Sequence, residues 1–123
     1  MKIELSNGEI IDKLTILQIK LERIKDENKL RNLKKEFDEL FRTASTIMDA
    51  SDPLYKALYD VNCELWDIED HIRDLERKKD FGEDFIATAR SVYFRNDKRA
   101  EIKKEINIRT SSGLIEEKSY EEY

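Results

Sequence analysis

At 123 residues the chain falls in the size range of one domain. Chains of this length bury a core without the disulfide or metal staples needed mainly below roughly 70–80 residues. Three Gly and one Pro against 41% charged residues favour long helices over a turn-rich β fold, and a formal charge of −5 with interleaved acids and bases weighs against a general nucleic-acid binder.

Cys63 stands alone, so no intrachain disulfide forms, and one thiol with one histidine makes no zinc site. No apolar run approaches the ~20 residues that span a bilayer. The start Met-Lys-Ile-Glu-Leu-Ser lacks the apolar core of a signal peptide. The expectation is a folded cytoplasmic domain covering residues 1–123, with no membrane contact. Its apolar residues recur regularly, which disordered chains seldom show.

In chain order, residues 1–5 read as a short extended arm. Ser6 and Glu9 form a capping box, in which Ser6 accepts from the third helical N–H while Glu9 reaches back. The first helix then runs to about Lys25. Ile10, Leu14, Leu17, Leu21 and Ile24 form its main face, and Ile11, Ile16 and Ile19 leave other sides apolar too. A helix apolar nearly all round is central in its bundle or buried by a second subunit.

Asp26 caps a second helix over about 27–49, whose stripe includes Leu30, Leu33, Phe37, Leu40 and Ala44. Asp52-Pro53 is the clearest boundary, a capping carboxylate followed by proline at the first helical position. The third helix keeps a heptad through Leu54, Leu58, Val61, Leu65, Ile68, Ile72 and Leu75. A second stripe opposite it holds Tyr55, Tyr59, Asn62, Trp66, Glu69 and Arg73. Gly82 offers a left-handed residue to close this helix, and Glu83 and Asp84 open a fourth with the charge its N-terminus prefers. Whether the fourth helix bends at Asn96-Asp97 stays open. Residues 110–113 end it, leaving a tail with Leu114, Ile115, Tyr120 and Tyr123 among acids.

The fourth helix carries the most informative stripe. Phe85, Ala89 and Val92 set an apolar period that continues polar, through Asn96, Arg99 and Lys103. A carboxamide and two cations aimed at a core are costly to desolvate unless partners are supplied. The expected partners are Glu9 and Asp12 of the first helix and Glu69 or Asp70 of the third, with Trp66 beside them. If every charge is paired, the cluster is structural; a cation left beside an open cleft makes an anion site.

Two acid pairs, Glu36 with Glu39 and Glu64 with Asp67, have a spacing similar to that of the all-α nucleoside triphosphate pyrophosphohydrolases, which hold Mg²⁺ between adjacent helices. Their phase opposes this, because Asp67 points roughly 120° from the heptad face at ~100° per residue. His71 has no Ser or Cys partner recognisable in sequence, and no Gly-rich phosphate loop exists.

The segments Gly8-Glu9-Ile10-Ile11-Asp12-Lys13-Leu14-Thr15-Ile16-Leu17, Leu65-Trp66-x-Ile68-Glu69-Asp70 and Ala89-Arg90-x-Val92-Tyr93-x-x-Asn96-Asp97-x-Arg99-Ala100-x-Ile102-Lys103, followed by Glu116-Glu117-Lys118-Ser119-Tyr120, resemble a small family of uncharacterised bacterial and phage helical proteins. The resemblance spans nearly the whole chain and implies no activity, cofactor or catalytic residue.

The sequence therefore predicts an all-α bundle of four long, mainly antiparallel helices with an extended C-terminal tail. The functional expectation is a non-catalytic module without cofactor or metal, forming a homo-oligomer, a dimer in its simplest form, and binding an anionic small molecule or partner protein. The alternative is a Mg²⁺-dependent nucleotide hydrolase.

Overall fold

A computed structural model describes residues 3–111, and the expectations for the tail residues Leu114, Ile115, Tyr120 and Tyr123 lie outside them. The described residues form four helices and no strand: α1 (Asn7–Arg23), α2 (Glu27–Ala44), α3 (Pro53–Arg77) and α4 (Glu83–Arg109).

Local chemistry sets most of the helix ends. Ser6 accepts from the Glu9 N–H at 3.1 Å. Asp26 accepts from the N–H groups of Asn28 and Lys29, and Asp52 accepts from Leu54 N–H at 2.9 Å with Pro53 opening α3. Each side chain satisfies an N–H that the first helical turn leaves without an internal acceptor. α4 runs through Asn96-Asp97 without a break.

Three details depart from expectation. α2 stops at Ala44 rather than near 49. Ser45 and Thr46 hydroxyls there donate to the carbonyls of Phe41 and Thr43, the local competition that disfavours both residues inside helices, and the turn that follows lays Ile47 and Met48 against the core. The left-handed residue after α3 is Lys79 (φ 56°), whereas Gly82 caps α4 with extended backbone. Asp80 N–H reaches Leu75 C=O and Lys79 N–H reaches Glu76 C=O. That pair of bonds makes a Schellman closure, which puts the left-handed residue directly after Lys78, three positions before the glycine. Finally, the Glu9 carboxylate turns toward Lys103 of α4 rather than back to its own cap.

α1 is the spine. It packs on α2, α3 and α4, while α2 approaches α1 closely and neither other helix. Ile11, Leu14, Leu58, Val61, Ile102 and Ile106 form the centre of the core. α1 runs antiparallel to α4, with Gly8 beside Asn107 and Asp12 beside Arg99. α3 and α4 are antiparallel too, with Glu64 beside Arg95 and His71 beside Asp84, so α1 and α3 run in the same general sense. The α3–α4 hairpin is longer than α1 and α2, and Phe81, Ile86, Tyr93 and Phe94 along it are exposed.

The α1–α3 contact contains a titration signature. Tyr55 is buried and its hydroxyl donates to Gln18 Oε1 at 2.5 Å. Burial, aided by the Glu22 negative charge, pushes this phenol up to about 12. A group raised in the folded state favours folding fully below its unfolded value, near pH ~10, and loses that contribution as pH climbs through the folded value. Stability should therefore fall between pH 10 and about 12. The hydrogen bond to Glu22 raises the Tyr59 phenol as well, so a near-ultraviolet titration should show late phenols and lose one of them in Tyr55→Phe; an unchanged titration in that variant would refute the assignment.

Candidate functional site

Gly8 places the start of α1 directly on the end of α4. A Cβ added there would lie 2.5 Å from the Lys103 carbonyl oxygen and 3.0 Å from Asn107 Oδ1. The Gly8 N–H donates to Asn107 Oδ1 at 2.6 Å, which also orients the buried carboxamide. Asn7 Nδ2 donates to Thr110 Oγ1 at 2.9 Å at the same end.

One turn on, Lys103 Nζ meets Glu9 Oε2 at 2.6 Å, with both side chains largely covered at 15% and 24% exposure. The next contact is the deepest. Asp12 is fully buried and receives Arg99 through both carboxylate oxygens, Nε reaching Oδ1 at 2.9 Å and Nη2 reaching Oδ2. Asn62 of α3 donates to Asp12 Oδ1 at 2.9 Å and to Thr15 Oγ1 at 2.9 Å, and Thr15 donates to the Asp12 carbonyl at 2.7 Å. A bidentate guanidinium plus an amide makes a strong, directional set. It engages both oxygens of the carboxylate, leaving Asp12 poorly placed to accept a substrate proton. The junction ties three helices together through one side chain.

The structure thus brings together Glu9, Asp12, Arg99 and Lys103, with Asn62 in place of the acids expected from α3 and Thr15 of α1 beside it. Asn96 is exposed, as are Glu69 and Asp70, and Glu69 pairs with Arg73 along its own helix. Past Asp12, the hydrogen bonds and ion pairs that α1 makes to the α3–α4 hairpin reach α3: Thr15 to Asn62, Gln18 to Tyr55, Glu22 to Tyr59 and Arg23 to Asp67. None of these bonds reaches α4 at the level of Asn96, which is exposed despite sharing an angular face with Arg99 and Lys103. Trp66 is half-buried and lies under the Arg23 guanidinium at 5.8 Å, away from the junction.

Gly8, Asn62 and Thr15 are site residues that sequence reasoning did not single out. Gly8 had a signal, since glycine within a helix is unfavourable and needs a packing reason. Asn62 had one too, as a carboxamide inside an aromatic stripe.

The two acid pairs do not converge. Glu64 pairs with Arg95 at 2.8 Å and Asp67 with Arg23 at 2.5 Å, while Glu36 and Glu39 border α1. α2 lies on α1 rather than on α3, so the helices that would share a metal are not neighbours. Among the described residues no three His, Cys, Asp or Glu side chains gather as a metal cage. His71 Nε2 lies 2.9 Å from Asp84 Oδ2 in an exposed pair.

A second feature lies between α1 and α2, a groove of about 400 Å³. Ile16, Leu17 and Leu40 floor it, Lys13 and Lys20 edge it on α1, and Glu36 and Glu39 edge it on α2. None of these four charged side chains forms an ion pair among the described residues.

A spine helix pinned by a polar junction and flanked by two hairpin partners defines a small all-α helical-bundle protein. The chain belongs to a family of unknown function, DUF6165, whose model matches residues 1–123. No curated protein and no solved structure matches it.

The junction's chemistry gives a direct test of its role. Replacing Lys103 with Met leaves the Glu9 carboxylate without its cation in a largely covered position, between the exposed and buried limits for such pairs. The expected cost is about 1–2 kcal/mol in denaturant unfolding. Unchanged stability would speak against a structural role.

Proposed function

We propose that this chain is a non-catalytic, self-associating helical module that works through its surfaces rather than through a reaction centre. The observation that carries this reading is the α1–α2 groove, where opposed charges stand unpaired above an apolar floor. Water-exposed apolar surface of this kind gains free energy when a partner covers it. The stripe on α4 supports a structural role over anion capture, because Arg99 and Lys103 each already meet a carboxylate of α1.

Sedimentation of the full chain over a range of concentrations tests the proposal. A species of twice the 14.7 kDa chain mass is expected to grow with concentration. A monomer at every concentration would overturn it. The hydrolase alternative predicts instead a rise in melting temperature on adding Mg²⁺ with a nucleoside triphosphate, which the module reading does not.

A further inference from the structure

We infer that the α1–α2 groove seats a second copy of this chain, with α1 of each protomer lying against α2 of the other. The inference rests on the self-association reading and names its surface and geometry.

The apolar part comes first. Leu40 of α2 lines the groove and stays only half-buried. Ala44 is the one α2 residue described as fully buried. A helix of 18 residues that packs on a single neighbour covers little of its stripe. Half-buried Ile16 of α1 continues that apolar surface across the groove floor, over the buried Leu17.

The charges then select the occupant. Lys13 and Lys20 lie seven residues apart, two turns along one face of α1. Glu36 and Glu39 form the opposite edge on α2, and no ion pair joins the two edges within the chain. One surface therefore presents a cationic edge and an anionic edge on either side of an apolar floor. A two-fold axis places the lysine edge of one copy on the glutamate edge of the other and repeats the contact in reverse. An acidic or a basic partner would match one edge and be repelled by the other, whereas a second copy matches both. The ion pairs fix orientation and the floor supplies the driving force.

A charge-swap experiment tests this on the full chain. The variants K13E/K20E and E36K/E39K each give a groove of one sign. Each is expected to lose the dimer at concentrations where the wild type forms it, with a dissociation constant raised on the order of 100-fold by like-charge contact. An equimolar mixture is expected to recover it, because each edge then meets its opposite. Helical circular dichroism of each variant separates lost association from lost folding, and these side chains form no ion pair that folding would miss. Wild-type-like dimers in both variants would overturn the groove as interface while leaving self-association standing. Loss without recovery in the mixture would overturn the cross-pairing. A wild-type chain that stays monomeric would remove the underlying reading as well.

Discussion

Asp12→Ala is expected to lower unfolding free energy by about 3–4 kcal/mol, as removing one partner of a buried pair leaves the other uncompensated. The side chain is 1% exposed, and three donors converge on it from Arg99 and Asn62. Arg99 retains 29% exposure, so water relieves part of its loss and holds the cost near the lower end of the range. Against a typical total of ~5–15 kcal/mol, this removes a large share of the stability. Denaturant unfolding should show a lower midpoint with an unchanged slope. The double variant Asp12→Leu with Arg99→Met should recover much of the loss, because an apolar pair leaves no stranded charge. A single-variant loss below about 1 kcal/mol would place the pair in the class of weak exposed salt bridges and refute the junction as a structural lock.

Much of the fold was legible because its signals are local. Asp26, Asp52 and Pro53 announce helix starts through hydrogen bonds that span two or three residues, and the structure makes those bonds. The sequence left α1 either central in its bundle or covered by a second subunit. Its apolar residues occupy several sides, and α1 meets all three other helices. The end of α2 was not readable from its apolar stripe, since Ile47 and Met48 continue that stripe while belonging to the turn that follows the helix. Periodicity cannot tell a residue buried on a helix from one buried by the loop that follows.

The candidate site was half legible for a related reason. A 3.6-residue period gives the angular position of a side chain but not the level at which a neighbouring helix crosses. Arg99, Lys103 and Asn96 share an angle, yet the first two meet carboxylates of α1 and the third is exposed. Glu69 failed likewise: it shares the stripe of Asn62, but two turns further along α3, where it meets Arg73 instead of Asp12. The groove was harder still. Glu36 and Glu39 drew notice as a metal motif, and only the placement of α2 against α1 shows them facing Lys13 and Lys20 across an open channel.

Gly8→Ala is expected to destabilise the chain by about 2–4 kcal/mol, although alanine is the better helix former by ~1 kcal/mol. Propensity loses here because the new methyl would stand 2.5 Å from the Lys103 carbonyl oxygen, a backbone atom that cannot rotate aside. Relief requires moving α1 away from α4. That movement stretches the buried Gly8–Asn107 hydrogen bond, now 2.6 Å, and leaving buried polar groups unsatisfied adds roughly 1–3 kcal/mol. The same shift loosens Glu9 from Lys103 and Asp12 from Arg99, so the cost should be non-additive with Asp12→Ala. A double-mutant cycle should show the second substitution costing at least ~1 kcal/mol less once the first is present, within the range of coupled neighbours. Gly82→Ala serves as the steric control, since an added Cβ there meets only the Asp80 carboxylate at 3.4 Å and the expected loss is that of a glycine N-cap, about 1 kcal/mol or less. A Gly8→Ala protein as stable as the wild type would mean that α1 and α4 do not touch at this point.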